Sequence, residues 1–135
     1  MNPGLFASCL YVQIDLAGRR ACLATAGHLP PLLRGPDGSA RPLDVPPGLL
    51  LGIEPASDYR SVEYALPSGA VLALFTDGLV EQPGTDLDVA IDDLVRSLAA
   101  GPRDLETLAD QLMNRARPYG DRTDDTALFL LRPAP

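Results

Sequence analysis

From Phe6 to Asp15 the chain alternates, and Leu10, Val12 and Ile14 fall on one face of an expected strand. LAGRR follows with a glycine turn expected at Gly18, and Ala21–Ala26 returns as a second strand, so the pair predicts a β-hairpin. The stretch from Gly27 to Gly52 is dense in glycine and proline and has room only for short strands, such as Leu32–Arg34 before the GPDG turn. Alternation resumes over Tyr59–Leu66. PSGA then turns the chain into Val71–Phe75, a continuous apolar run of strand length.

Beyond this point the period lengthens. Ile91, Leu94, Val95 and Leu98 follow helical spacing and predict a helix over Asp88–Ala99, capped by Asp86 or Asp88 and closed by Gly101-Pro102. Leu105, Leu108, Ala109, Leu112, Met113 and Ala116 share one face of a second helix, Leu105–Arg117. Asp104 is its expected N-cap, Arg115 and Arg117 sit where a helix end favours cations, and Pro118 stops it. After the polar stretch YGDRTDD, Thr126–Arg132 is a last strand, too apolar to be solvated on both faces. Strands, then two helices, then one strand predict an α+β domain, with the helices packed on one face of a largely antiparallel sheet.

Composition narrows the partners. The 135 residues, 46% of them hydrophobic, suit a single domain over 1–135 with its own core. Aromatic residues are 5% and tryptophan is absent, so that core is built from Leu, Val, Ile and Ala. A net charge of -7 argues against a nucleic-acid or anionic-membrane partner and suits a cation or a basic partner. No run approaches the roughly 18 apolar residues of a membrane span. Cys9 and Cys22 lie in apolar strand-like runs without CxxC spacing, and read as two small buried thiols rather than a disulfide. With no basic N-terminal region of a secretory signal, the expected location is the cytoplasm.

Two acidic positions have matching geometry. Asp77 follows the apolar strand Val71–Phe75, and Asp124 and Asp125 precede the strand at Thr126. If these strands are antiparallel neighbours, the end of one lies beside the start of the other. Carboxylates gathered there repel one another unless a proton or cation sits among them, and oxygen ligands select Mg2+, Mn2+ or Ca2+. Asp-Gly after a strand is equally a common turn, and the residues alone leave both readings open. His28, the single histidine, stands in TAGHLPPLL with no second histidine or cysteine pair at metal-ligand spacing, which favours a structural role. No serine, threonine or cysteine has a recognisable base, and there is no lysine to complete a phosphate-cradling loop.

In order, the blocks FASCLYVQID, LATAGHLPPLL, LLLGI, ALFTDGLVE and RTDDTALFLLR resemble the metal-dependent protein phosphatases of type 2C, in particular their bacterial sporulation stage II E branch. The resemblance runs from about Phe6 to Arg132. It implies part of a β-sandwich, and hydrolysis of phosphoserine and phosphothreonine on proteins by water activated between two Mn2+ or Mg2+ ions. It also implies that Asp77 and Asp124 are the catalytic metal ligands, with Asp125 at the metal site or orienting it, and that Gly78 takes a positive φ. The Asp-x-x-Gly-His-Gly block with which the family begins has no counterpart here. The expectation is therefore the C-terminal part of the domain, lacking its N-terminal strands, weak or inactive alone, with an exposed sheet edge open to homodimer formation. The implied partner is a phosphorylated protein, with an anti-sigma-factor antagonist the leading candidate. A non-catalytic phosphoprotein-binding module of the same fold is the alternative.

Overall fold

The computed structural model describes residues 7–53, 58–81, 83–116 and 126–134. Among these residues the strands are β1 (Cys9–Asp15), β2 (Arg20–Ala26), β3 (Leu32–Arg34), β4 (Ala40–Pro42), β5 (Val62–Ala65), β6 (Val71–Phe75) and β7 (Leu128–Leu131). Two helices, α1 (Leu87–Ala100) and α2 (Leu105–Ala116), lie between β6 and β7 in the chain. One sheet has the order β1-β2-β5 and the other β4-β3-β6-β7, and every neighbouring pair is antiparallel. The expected α+β architecture is the observed one, in three layers: sheet, sheet, helices.

The parity of β6 separates two cores. Val71, Ala73 and Phe75 belong to the cluster shared with the helices, whereas Leu72 packs in the cluster between the sheets. In β3, Leu32 joins the helical side and Leu33 the inter-sheet side. A strand covered on both faces needs apolar residues at every position, so VLALF does not alternate. The helices close the outer core with Ala90, Leu94 and Leu98 of α1 and Leu108 and Leu112 of α2. The inner core is completed by Ala21 and Leu23 of β2 with Leu43, Leu66 and Ala70. The β1–β2 hairpin keeps its expected register, Leu10 against Thr25 and Ile14 against Ala21.

Side chains fix the helix ends. Asp104 caps α2 as expected, its Oδ2 accepting from Thr107 N at 2.9 Å and Thr107 Oγ1 at 2.6 Å. Those two bonds hold the Asp104 carboxyl below the usual carboxylate range. Arg115 ties α2 to α1, donating from Nη1 to Asp93 O at 2.8 Å. Asp86 sits at the N-cap of α1 without a side-chain bond. The C-terminal end of α1 is held by Arg34, which shares the helix-facing parity of Leu32. Its Nη1 donates to Leu98 O, Gly101 O and Pro102 O at 3.0, 3.3 and 3.2 Å. These are carbonyls of the kind a helix leaves unpaired at its end, so a cation there is both donor and countercharge.

Three local expectations change. In the β1–β2 turn the positive φ falls on Arg19, at 52°, rather than on Gly18. Gly18 serves the turn differently: its N–H donates to Asp15 Oδ1 at 2.9 Å, and a Cβ there would push that exposed carboxylate aside. Cys9 is exposed rather than buried, because β1 is an edge strand and Cys9 is on its outer face; Cys22 is half-buried, and both thiols are free. Their register partners, Ala26 and Gln13, lie four residues from each other's cysteine along the hairpin, roughly 13 Å and too far for a disulfide. The last strand β7 is an edge, which leaves Phe129 exposed despite the apolar run. Among the described residues no helix is long and apolar enough to cross a membrane.

Candidate metal centre

The condition set by the sequence is met: β6 and β7 are antiparallel neighbours, with Phe75 opposite Leu128 and Leu72 opposite Leu131. Just beyond the ladder, Thr76 holds the two strand ends together. Its N–H donates to Ala127 O at 3.1 Å, and Ala127 N donates to Thr76 Oγ1 at 2.9 Å. The threonine hydroxyl thus replaces a ladder carbonyl at the point where the backbone turns away.

The turn is a short 3-10 helix, Asp77–Leu79. Asp77 O accepts from Val80 N at 3.0 Å and from Glu81 N at 2.9 Å. Gly78, Leu79 and Val80 are buried, which anchors the turn in the core, while Asp77 is exposed. Its carboxylate makes no hydrogen bond or ion pair among the described residues. Asp77 is therefore both a turn residue and an available oxygen ligand; the two readings open in the sequence are compatible. Gly78 is not among the positive-φ glycines of the described residues, because it lies inside a right-handed turn. Its burial, not left-handed backbone, is the visible constraint.

The block AGHLPP has a physical account that the sequence reading only partly reached. Gly27 takes φ +68°, and a Cβ there would also meet the Leu50 side chain. This turns the chain so that His28 faces the end of β6. His28 Nε2 donates to Phe75 O at 2.9 Å, and Nδ1 lies 3.1 Å from Ser8 Oγ. The β3–β6 pairing ends with Leu32 opposite Ala73, and the same register continued two residues further would set Pro30 against Phe75. Proline has no N–H, so Phe75 O loses its ladder donor, and the imidazole supplies one. His28 is a positioning residue two positions before Asp77 in its effect, as the structural reading expected. The signal was in the sequence, but only the register reveals it.

Asp124 and Asp125 lie outside the described residues. In the sequence they precede Thr126, whose Oγ1 is buried without a hydrogen-bond partner among the described residues. Among the described residues no group of three or more histidine, cysteine or acidic side chains could hold a metal ion. The exposed carboxylate of Asp77 and the orphaned hydroxyl oxygen of Thr126 are hard donors of the kind Mg2+ or Mn2+ prefers. In chemistry they suit such an ion; in number, they fall short of a complete ligand set. Beside this edge, a cavity of about 470 Å3 opens between β1 and β7, lined by Ser8, Leu10, His28, Phe75, Thr76 and Phe129 among others.

Comparison with known proteins agrees with this architecture. The RsbU and RsbW domains of Rv1364c from Mycobacterium tuberculosis match with a TM-score of 0.78 and 26% identity, over 93% of this chain and 36% of that one. The manganese-presoaked phosphatase domain of the cell fate determinant SpoIIE from Bacillus subtilis matches with a TM-score of 0.71 and 19% identity, over 93% and 56%. The SiaA-PP2C domain of Pseudomonas aeruginosa matches with a TM-score of 0.71 and 23% identity, over 91% and 50%. The chain thus spans between about a third and just over half of the length of these solved chains. The model of one family, stage II sporulation protein E, matches residues 1–134, and the chain belongs to that family.

Proposed function

We propose that this chain is part of a metal-dependent phosphoprotein phosphatase domain, and that Asp77 and Asp124 are ligands of its Mn2+ or Mg2+ ions. The observation that carries the proposal is the antiparallel β6–β7 pair, with Asp77 at the lip of one strand and Asp124 two residues ahead of Thr126 in the sequence leading to the other. Two residues of chain reach about 7 Å at most, which supports a shared site for the two carboxylates. Asp125 takes a place at the same site, as ligand or as support for a ligand. When bound, a pair of such ions lowers the pKa of water and clamps phosphoryl oxygens. The chain's own contribution is to hold the carboxylates: Thr76 locks the strand ends and His28 fixes the backbone before Asp77. The substrate is then a phosphoserine or phosphothreonine protein of a bacterial regulatory pathway in the cytoplasm, with an anti-sigma-factor antagonist the leading candidate.

The same reading assigns a task to the free edges of β1 and β7, which flank one cavity. Further strands of the complete domain add there, and this chain alone is weak or inactive. Homodimer formation through these edges is the competing use. The test is a Mn2+ titration followed by electron paramagnetic resonance. Asp77→Asn and Asp124→Asn should each weaken Mn2+ binding by more than the ~10-fold that loss of a supporting residue costs. Binding equal to wild type in Asp77→Asn would overturn the assignment. A second reading, a phosphoprotein-binding module without catalysis, is favoured by the lack, among the described residues, of a group of three or more histidine, cysteine or acidic side chains able to hold a metal ion. Phosphopeptide binding that is unchanged by chelation of divalent metal would select it.

A further inference from the structure

At the opposite end of β6 from Asp77 lies a cavity of about 650 Å3 whose wall carries Arg34, Arg103 and Arg132, together with Asp37, Ser68 and Gly69. Eleven arginines and no lysine serve a chain of net charge -7, and three of those arginines meet here. Among the described residues the ion pairs are Arg20–Glu63 and Arg96–Asp93, so none of the three has a carboxylate within 4.0 Å. Arg34 is 6% exposed. Its Nη1 is committed to the carbonyls at the end of α1, whereas its Nε and Nη2 make no hydrogen bond among the described residues and are not fully buried. Arg103 and Arg132 are exposed, and Arg132 is set by a bond from its Nη1 to Arg103 O.

The acidic groups nearby are held by hydrogen bonds from neutral donors and keep their charge. Asp37 Oδ1 accepts from Ser39 N and Ser39 Oγ at 3.1 and 2.8 Å. Asp104, which follows Arg103, is taken up by Thr107. The cavity wall carries three cations and one carboxylate, Asp37, and Asp104 beside it interacts with Arg132. The crowding is felt at Arg34, whose pKa is lowered first by burial and then by the charges of Arg132 and Arg103. Like charges held together in a concave, partly desolvated site repel until an anion enters. Guanidinium groups with free N–H edges offer the planar, paired donors that oxoanions accept. A tetrahedral oxoanion can meet more than one guanidinium edge at once, which a planar carboxylate does less well.

We propose that the cavity bounded by Arg34, Arg103 and Arg132 binds a tetrahedral oxoanion of the phosphate class, either free phosphate or a phosphoryl group on a small ligand. This site is independent of the candidate metal centre, because β6 separates them by its whole length. The experiment is calorimetric titration of the chain with inorganic phosphate and, in a second arm, with O-phosphoserine, both in excess EDTA so that no divalent metal contributes. Saturable binding, competed by sulfate and not by acetate, is expected, and the arm with the tighter binding identifies the source. Arg103→Gln combined with Arg132→Gln should weaken it by ~10-fold or more, and Asp77→Asn should leave it unchanged. Both arginines are exposed, so circular dichroism should show the double variant folded. Should it not fold, phosphate-induced shifts of the Arg103 and Arg132 Nε–H resonances in wild type give the same answer. Absence of saturable binding in both arms, equal competition by acetate, wild-type affinity in a folded double variant, or unmoved arginine resonances would each overturn the proposal.

Discussion

Replacing His28 by alanine isolates one hydrogen bond that the register makes necessary. The substitution removes the Nε2 donor 2.9 Å from Phe75 O and the Nδ1 contact 3.1 Å from Ser8 Oγ. Phe75 O then faces Pro30, which has no N–H to offer, so the ladder cannot repair the loss. A buried carbonyl left without a donor costs about 1–3 kcal/mol. His28 is half-buried, so water can reach part of the gap, and the lower part of that range applies. The Ser8 contact is exposed and adds little. His28→Ala should therefore lose about 1–1.5 kcal/mol. Glutamine can present an amide N–H near the position of Nε2, so His28→Gln should recover about half of the loss. Urea unfolding followed by circular dichroism measures both variants, and amide exchange at Thr76 and Leu79 reports whether the Asp77 turn loosens. A loss below about 0.3 kcal/mol in His28→Ala would refute the reasoning, and so would a glutamine variant no more stable than the alanine one.

Other substitutions test the helical layer. Arg34→Met keeps the aliphatic stem but abandons three carbonyls at the end of α1; since Nη1 has two hydrogens, the expected loss is about two charged hydrogen bonds less what water restores, roughly 2–4 kcal/mol, with Arg34→Lys intermediate on denaturation. Leu98→Ala opens a cavity at a fully buried position between α1, α2 and the second sheet and should cost about 2–5 kcal/mol in the same assay. The depressed pKa of Asp104 has a sign that can be checked: its contribution to stability is present above the unfolded value of about 3.9 and is lost as pH falls through the lower folded value. The stability difference between wild type and Asp104→Asn should therefore hold steady from pH 6 to pH 5 and shrink toward pH 2; a gap that widens on acidification would contradict the assignment.

How far the sequence was legible depended on whether a residue's role is local. The strand Val71–Phe75 appears with the same bounds, both helices and the second hairpin strand within a residue, and the first hairpin strand begins at Cys9 rather than Phe6, because each is set by periodicity and punctuation within a few positions. The cap at Asp104 was readable for the same reason. Asp77 was readable as a candidate because it follows one apolar strand while Asp124 and Asp125 precede another, a pattern that two neighbouring antiparallel strands would bring to one edge. His28 and Arg34 were not readable in their actual roles. The partner of His28 is a carbonyl 47 positions away, and those of Arg34 are 64 to 68 positions away. Both partners are backbone oxygens, which leave no mark in a sequence. What exposes them is register: Pro30 opposite Phe75, and Arg34 on the helix-facing parity of β3. The strand β4 escaped prediction because ARP carries a proline, tolerated where the strand is an edge.

The bond from Ala127 to Thr76 joins residues 51 positions apart, with both helices in the intervening chain. Closing so long a loop is slow compared with forming a hairpin or a helical turn, and much of its reward comes only when the helices cover the sheet. The edge where Asp77 stands is therefore assembled late, together with the outer core rather than before it. An early collapsed form could hold the β1–β2 hairpin and still have no shared strand end for the carboxylates. Competence at this edge, whatever it binds, should appear in refolding with the slowest phase of helix–sheet docking and vanish with it on unfolding.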